Sequence, residues 1–179
     1  MGKTIELNLF SNKSIQNAIK ALRDYENSLT YKCRLLAEKL AEKGVEVARI
    51  EVTSLGAIFT GDLMRSIHAE HIGNIKGGGI WAVVADDESA VFVEFGTLGS
   101  IGGKKEYPYP LPDGVQWKYG SGSNIIQLSN GQYGWFYKGD DGKVYWCEGM
   151  DSRPFMYLTG IELEKDVVKV AMEVFGNGG

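Results

Sequence analysis

From Ser14 onward, apolar side chains recur at Ile15, Ala18, Ile19, Leu22, Leu29, Cys33, Leu36, Ala37 and Leu40, with Tyr25 filling the intermediate turn. The spacing follows a 3.6-residue period for about seven turns, and only a helix gathers such positions on one face. The opposite face carries Lys20, Arg23, Glu26, Lys32, Glu38, Lys39, Glu42 and Lys43, mixed in sign as water-facing positions are. The rest of the chain must therefore supply a surface for one long apolar stripe. Ser14 suits the N-cap of this helix, and Gly44 suits a stop or a kink.

Residues 45–55 fit two patterns, since Val45, Val47 and Ile50 suit a strand and Val45, Ala48 and Val52 suit a continued helix. After the turn Phe59-Thr60-Gly61-Asp62, residues 64–72 and 80–85 read as two strands of an antiparallel hairpin, with a mobile loop over 73–79. Residues 87–95 read as a short helix ending at Gly96. The stretch 96–130 is irregular, and Tyr107-Pro108-Tyr109-Pro110-Leu111-Pro112 favours an extended path. Trp135-Phe136-Tyr137 and Val144-Tyr145-Trp146 flank Asp140-Asp141-Gly142, a strong hairpin signal. A second substantial helix occupies 154–175, its start fixed by Pro154. The expected class is α+β, a small antiparallel sheet packed by a long N-terminal helix and a C-terminal helix, with an inserted aromatic β-hairpin. One domain, 1–179, is expected, with an insertion at about 96–150.

Nineteen basic and twenty-three acidic side chains give a net charge of -4, and no Lys/Arg run is long enough to track a phosphate backbone. No stretch approaches the roughly 20 apolar residues of a membrane span, and residues 1–10 lack the pattern of a signal peptide. Gly2 could suggest myristoylation, but Glu6 stands where that motif needs Ser or Thr. A protein made and kept in a cytoplasm is the expectation. Cys33 and Cys147 are the two cysteines and form no CxxC pair, so reduced thiols are the default.

Three segments carry a resemblance. Thr60-Gly61-Asp62-Leu63-Met64-Arg65-Ser66-Ile67, then Val91-Phe92-Val93-Glu94-Phe95-Gly96-Thr97, then Gly149-Met150-Asp151-Ser152-Arg153-Pro154-Phe155-Met156 follow one another in that order. Together with the preceding helix they resemble the tail-completion family of long-tailed bacteriophages, small proteins at the head–tail junction. The first is similar to the family's Thr-Gly-x-Leu-Arg-x-Ser-Ile segment, except that Met64 separates Leu63 from Arg65. The second is similar to its Val-Glu-Phe-Gly-Thr segment and the third to its Arg-Pro-Phe-Met lead into the last helix. The resemblance favours helix over strand for 45–55. It implies a structural virion protein of the neck rather than an enzyme, acting as a homo-oligomeric ring, sixfold by analogy. Its partners would be the head–tail connector and the tail terminator or tube proteins. DNA would pass through the lumen without specific binding.

No cofactor or catalytic residue is expected. His68 and His71 lie three apart in an expected strand and so point to opposite faces, which argues against a metal site. Asp86-Asp87-Glu88 lacks the spacing of a calcium loop, and Gly77-Gly78-Gly79 lacks the Lys-Ser/Thr of a phosphate loop. A Ser-His-Asp triad finds no strand–elbow–helix around a Ser. Trp135, Tyr137, Trp146, Arg153 and Phe155 are the candidate subunit-interface residues. An alternative reading takes the aromatic hairpin 134–146 as a cell-wall carbohydrate- or choline-binding module, although such repeats work as arrays and only one copy is present.

Overall fold

The computed structural model describes residues 4–57, 61–117, 125–139 and 141–176. Its chain divides into two compact units. The first comprises Met1–Val47, His68–Val84 and Ile161–Gly179, the second Ala48–Ile67 and Ala85–Gly160. Helices α1 (Asn12–Ser54) and α4 (Phe155–Gly176) each contribute residues to both. The α+β class is as the sequence implies, but the single expected sheet is two: a two-stranded sheet of β1 (Ile67–Ile75) and β2 (Gly78–Ala85), and a three-stranded one.

In the first unit, α1 starts earlier than its apolar period suggests. Ser11 is the N-cap: its Oγ accepts the Ser14 amide at 3.3 Å and its carbonyl accepts the Ile15 amide at 3.0 Å. The Ser14 hydroxyl instead accepts the Asn8 amide at 2.9 Å. Gly44 neither stops nor kinks the helix. A Cβ there would lie 2.6 Å from Val83 Cγ2 and 3.0 Å from Leu163 Cδ1, so this glycine marks where α1 comes closest to β2 and α4. The expected loop over 73–79 shrinks to Lys76 and Gly77, with Gly77 at φ 83, because both strands run on through their glycines. A strand is held by its backbone ladder, so the poor propensity of Gly73, Gly78 and Gly79 is overridden.

In the second unit, residues 48–54 are helical, and Ala48 and Val52 are fully buried. The strand expected at 64–72 starts later, because α2 (Asp62–Ser66) occupies its first turn. Gly61, at φ 82, turns the chain into α2. The Arg49 guanidinium then donates to the carbonyls of Met64 at 3.2 Å and Ile67 at 2.8 Å, satisfying acceptors that a short helix leaves open. Of the turn proposed at 59–62, Phe59 and Thr60 lie outside the described residues. Helix α3 (Ala90–Phe95) ends at Gly96 as its sequence implies, and Asp87 holds the preceding turn by accepting the Ser89 amide at 2.8 Å. Past a single 3-10 turn, Gly99–Gly102, the described part of 96–125 is irregular.

The aromatic hairpin is present, as β4 (Tyr133–Lys138) and β5 (Val144–Cys147), and a short β3 (Ile126–Gln127) adds a third antiparallel strand to it. Its turn includes Asp140, which lies outside the described residues. The largest wholly buried side chains are Phe155, Ile67, Val52 and Val93, all in this second unit.

Candidate assembly site

Two of the three segments that carry the resemblance lock together. Gly96, at φ 72, ends α3 with no room for a side chain, since a Cβ would sit 2.6 Å from the Ser152 nitrogen. This close approach lets the two segments exchange hydrogen bonds. The Arg153 amide donates to Val93 O at 2.8 Å, the Thr97 amide to Met150 O at 2.9 Å, and the Met150 amide to Thr97 Oγ1 at 2.9 Å. The Ser152 hydroxyl donates to Glu94 O at 2.6 Å. Thr97 and Met150 thus form an antiparallel bridge outside the named strands.

Glu94 completes this clasp. Its buried carboxylate accepts the Met156 amide at 2.8 Å and the Tyr157 amide at 3.2 Å, two donors that the first turn of α4 leaves unpaired. Burial raises the Glu94 carboxyl above its ordinary value, opposed by the hydrogen bonds from Met156, Tyr157 and the Tyr107 side chain. Burial, followed by the adjacent Glu94 charge and hydrogen bond, pushes the Tyr107 phenol up to about 12. These two displaced groups are a buried cap and the hydroxyl that supports it.

Aromatic rings then fasten the irregular segment to the clasp. Phe95 meets Tyr107 edge-on at 4.9 Å and Trp117 at 5.3 Å, and Tyr109 stacks on Tyr157 at 3.9 Å. Trp117 Nε1 donates to Gly96 O at 2.8 Å. Beside these rings and Glu94 opens a groove of about 420 Å³, with Phe155 and Met156 along its wall.

The five candidate interface residues separate. Phe155 is 0% exposed, so it belongs to the core and is corrected from the interface set. Its apolar ring follows Pro154 at the first helical position, and the same Arg-Pro-Phe pattern serves a buried anchor as readily as a surface one. Arg153 lies within the clasp, half-buried, and its Nη1 is buried with no hydrogen-bond partner among the described residues. Trp135, Tyr137 and Trp146 do not share one face of their hairpin. Trp135 pairs with Cys147 and Tyr137 with Tyr145, while Trp146 pairs with Phe136, one position out of phase and so on the other face.

Trp146 lies over Gly134, where a Cβ would come within 2.6 Å of its ring and 2.2 Å of Cys147 O. Phe136 and Trp146 meet edge-on at 4.8 Å, and Tyr137 and Tyr145 stack at 5.7 Å. The side chains that face solvent most are Phe136, Tyr137, Val144 and Tyr145, of which the sequence reading singled out only Tyr137. Alternation along the two strands could have found Phe136 and Val144. Glu94 gave one signal, a carboxylate inside the apolar run Val91-Phe92-Val93, but its partners lie 62 and 63 residues away.

Among the described residues no group of three or more His, Cys, Asp or Glu is placed to hold a metal ion, and no helix is long and apolar enough to cross a membrane. His71 packs against Trp81, with ring centroids 5.2 Å apart. Neither a protein-family model, nor a curated protein, nor a solved structure matches the chain.

Proposed function

We propose that this chain is a structural virion protein of a phage neck. In this reading it completes the tail, joins it to the head, and works by assembling into a homo-oligomeric ring, sixfold by analogy. The ring would bridge the head–tail connector to the tail terminator or tube proteins. The observation that carries the reading is the clasp. Val91–Thr97 and Gly149–Met156, two separate pieces of the resemblance, meet through Val93, Glu94, Thr97, Met150, Ser152 and Arg153. Residues that look like a family signature therefore specify one shared shape, with Phe155 as its buried anchor.

The protein's contribution in this role is binding. Phe136, Tyr137, Val144 and Tyr145 supply the exposed aromatic and apolar surface that subunit contacts favour. The net charge of -4 suits a lumen through which packaged DNA slides without specific binding. Electron microscopy of lysates from a phage lacking the gene tests this. Filled heads beside complete, unattached tails support the neck role, whereas normally joined particles remove it.

A further inference from the structure

The first half of α1 is an apolar helix face with nothing packed on it. From Cys33 onward the stripe is half-buried or buried, and within the first unit α4 accompanies it: Lys32 Nζ lies 5.8 Å from the Phe175 ring centroid, and Leu163 approaches Gly44. These pairs run in opposite directions along the two helices, so α4 lies antiparallel to α1 and its last described turns lie level with Lys32. Before that point the same stripe continues through Ile15, Ile19, Leu22, Tyr25 and Leu29. Leu22 is 57% and Tyr25 64% exposed. A helical stretch this long with an uncovered apolar face is only marginally stable by itself in water.

We infer that the face Ile15–Leu29 is the contact between two copies of this chain, packed antiparallel about Leu22. The arrangement sets Ile15 of each copy against Leu29 of the other and places Leu22 on the twofold axis, so the partner takes the position that α4 occupies further along. Charge selects the same orientation. Arg23 and Glu26 project from one flank of the stripe, and an antiparallel pair brings like flanks together, so each Arg23 faces the other copy's Glu26. A parallel pair would set that flank against Ala21 and Ser28 instead. The area is sufficient. Residues 12–29 span about 27 Å, and covering half of a helix surface over that length removes about 500 Å² per copy, or about 1,000 Å² in all, the lower bound for a specific interface. The contact is isologous, whereas ring contacts are heterologous, and it does not depend on the neck reading.

The test is the mass of the full chain by light scattering after size exclusion, at tens of micromolar. Leu22→Asp halves the mass, whatever ring other contacts build, and weakens pairing at least about a hundredfold, because two carboxylates meet on the axis. Arg23→Glu lowers the mass too, and adding Glu26→Arg to it restores the mass. Circular dichroism and thermal melting confirm that each variant is folded, which the exposure of Leu22 favours. A monomeric parent chain, a mass unchanged by Leu22→Asp, or an Arg23→Glu loss that Glu26→Arg does not restore would each overturn the inference.

Discussion

The clasp and the free end of α1 solve opposite problems. Around Glu94 and Phe155 the chain buries what it can and pairs each polar group it covers: the carboxylate takes two amides and a phenol, and neighbouring backbones interleave. Along Ile19–Leu29 the chain leaves leucine and tyrosine in water although the helix itself is regular. Substitutions in the clasp should therefore cost folding stability, and those on the free stripe should cost association.

Phe155→Ala should have the largest effect, about 3–5 kcal/mol in chemical denaturation, because it empties the centre of the second unit. Glu94→Ala should follow at about 2–4 kcal/mol, since it strands the amides of Met156 and Tyr157 and the Tyr107 hydroxyl. Glu94→Gln keeps an acceptor and should cost less. Gly134→Ala should cost about 1–3 kcal/mol by driving a methyl group into Cys147 O and the Trp146 ring. Leu22→Ala should change the unfolding of a dilute, unpaired chain by less than about 0.5 kcal/mol. If Leu22→Ala proved as damaging as Glu94→Ala under those conditions, the contrast between the two regions would fail.

Acidity sharpens the contrast further. Glu94 binds its proton more tightly folded than unfolded, so its contribution is full below the ordinary value of 4.5 and declines as pH rises through the raised folded value. Acidification from neutrality should accordingly raise the melting temperature of the parent chain relative to Glu94→Gln. A gap that widens against the parent would contradict the buried setting of this carboxyl. Tyr107 follows the same sign at the other end of the scale. Its contribution is full below the ordinary 10.0 and is lost as pH rises through about 12. Ultraviolet titration should show one late-ionising phenol that Tyr107→Phe removes.

Local periodicity made the helices and the aromatic hairpin legible. The 3.6-residue stripe, the Asp-Gly turn and the stop at Gly96 depend on neighbours within a few residues, and each corresponds to an element of the structure. What stayed hidden depends on distant partners. Ser11 displaced Ser14 as the N-cap by one hydrogen bond, and α2 displaced the start of a strand once Arg49 reached its carbonyls. The role of Glu94 needed amides more than sixty positions away, which no local pattern reports. Phe155 was misplaced because an aromatic after Arg-Pro shows that it will be apolar, not which side will cover it. Trp135, Tyr137 and Trp146 were grouped by composition, and the alternation of strand faces separates them.

The bridge between Thr97 and Met150 also bears on how this chain can change over generations. It closes a loop of more than fifty residues at its two ends, with the neighbouring bonds from Ser152 and Arg153 reinforcing the closure. The entropy of closing such a loop grows only logarithmically, so doubling its length costs about 0.6 kcal/mol. Whole elements can then be gained or lost between Thr97 and Met150 while the residues at its neck keep their positions. The segment is free to vary where it meets other molecules, because the fold fixes it only at its base.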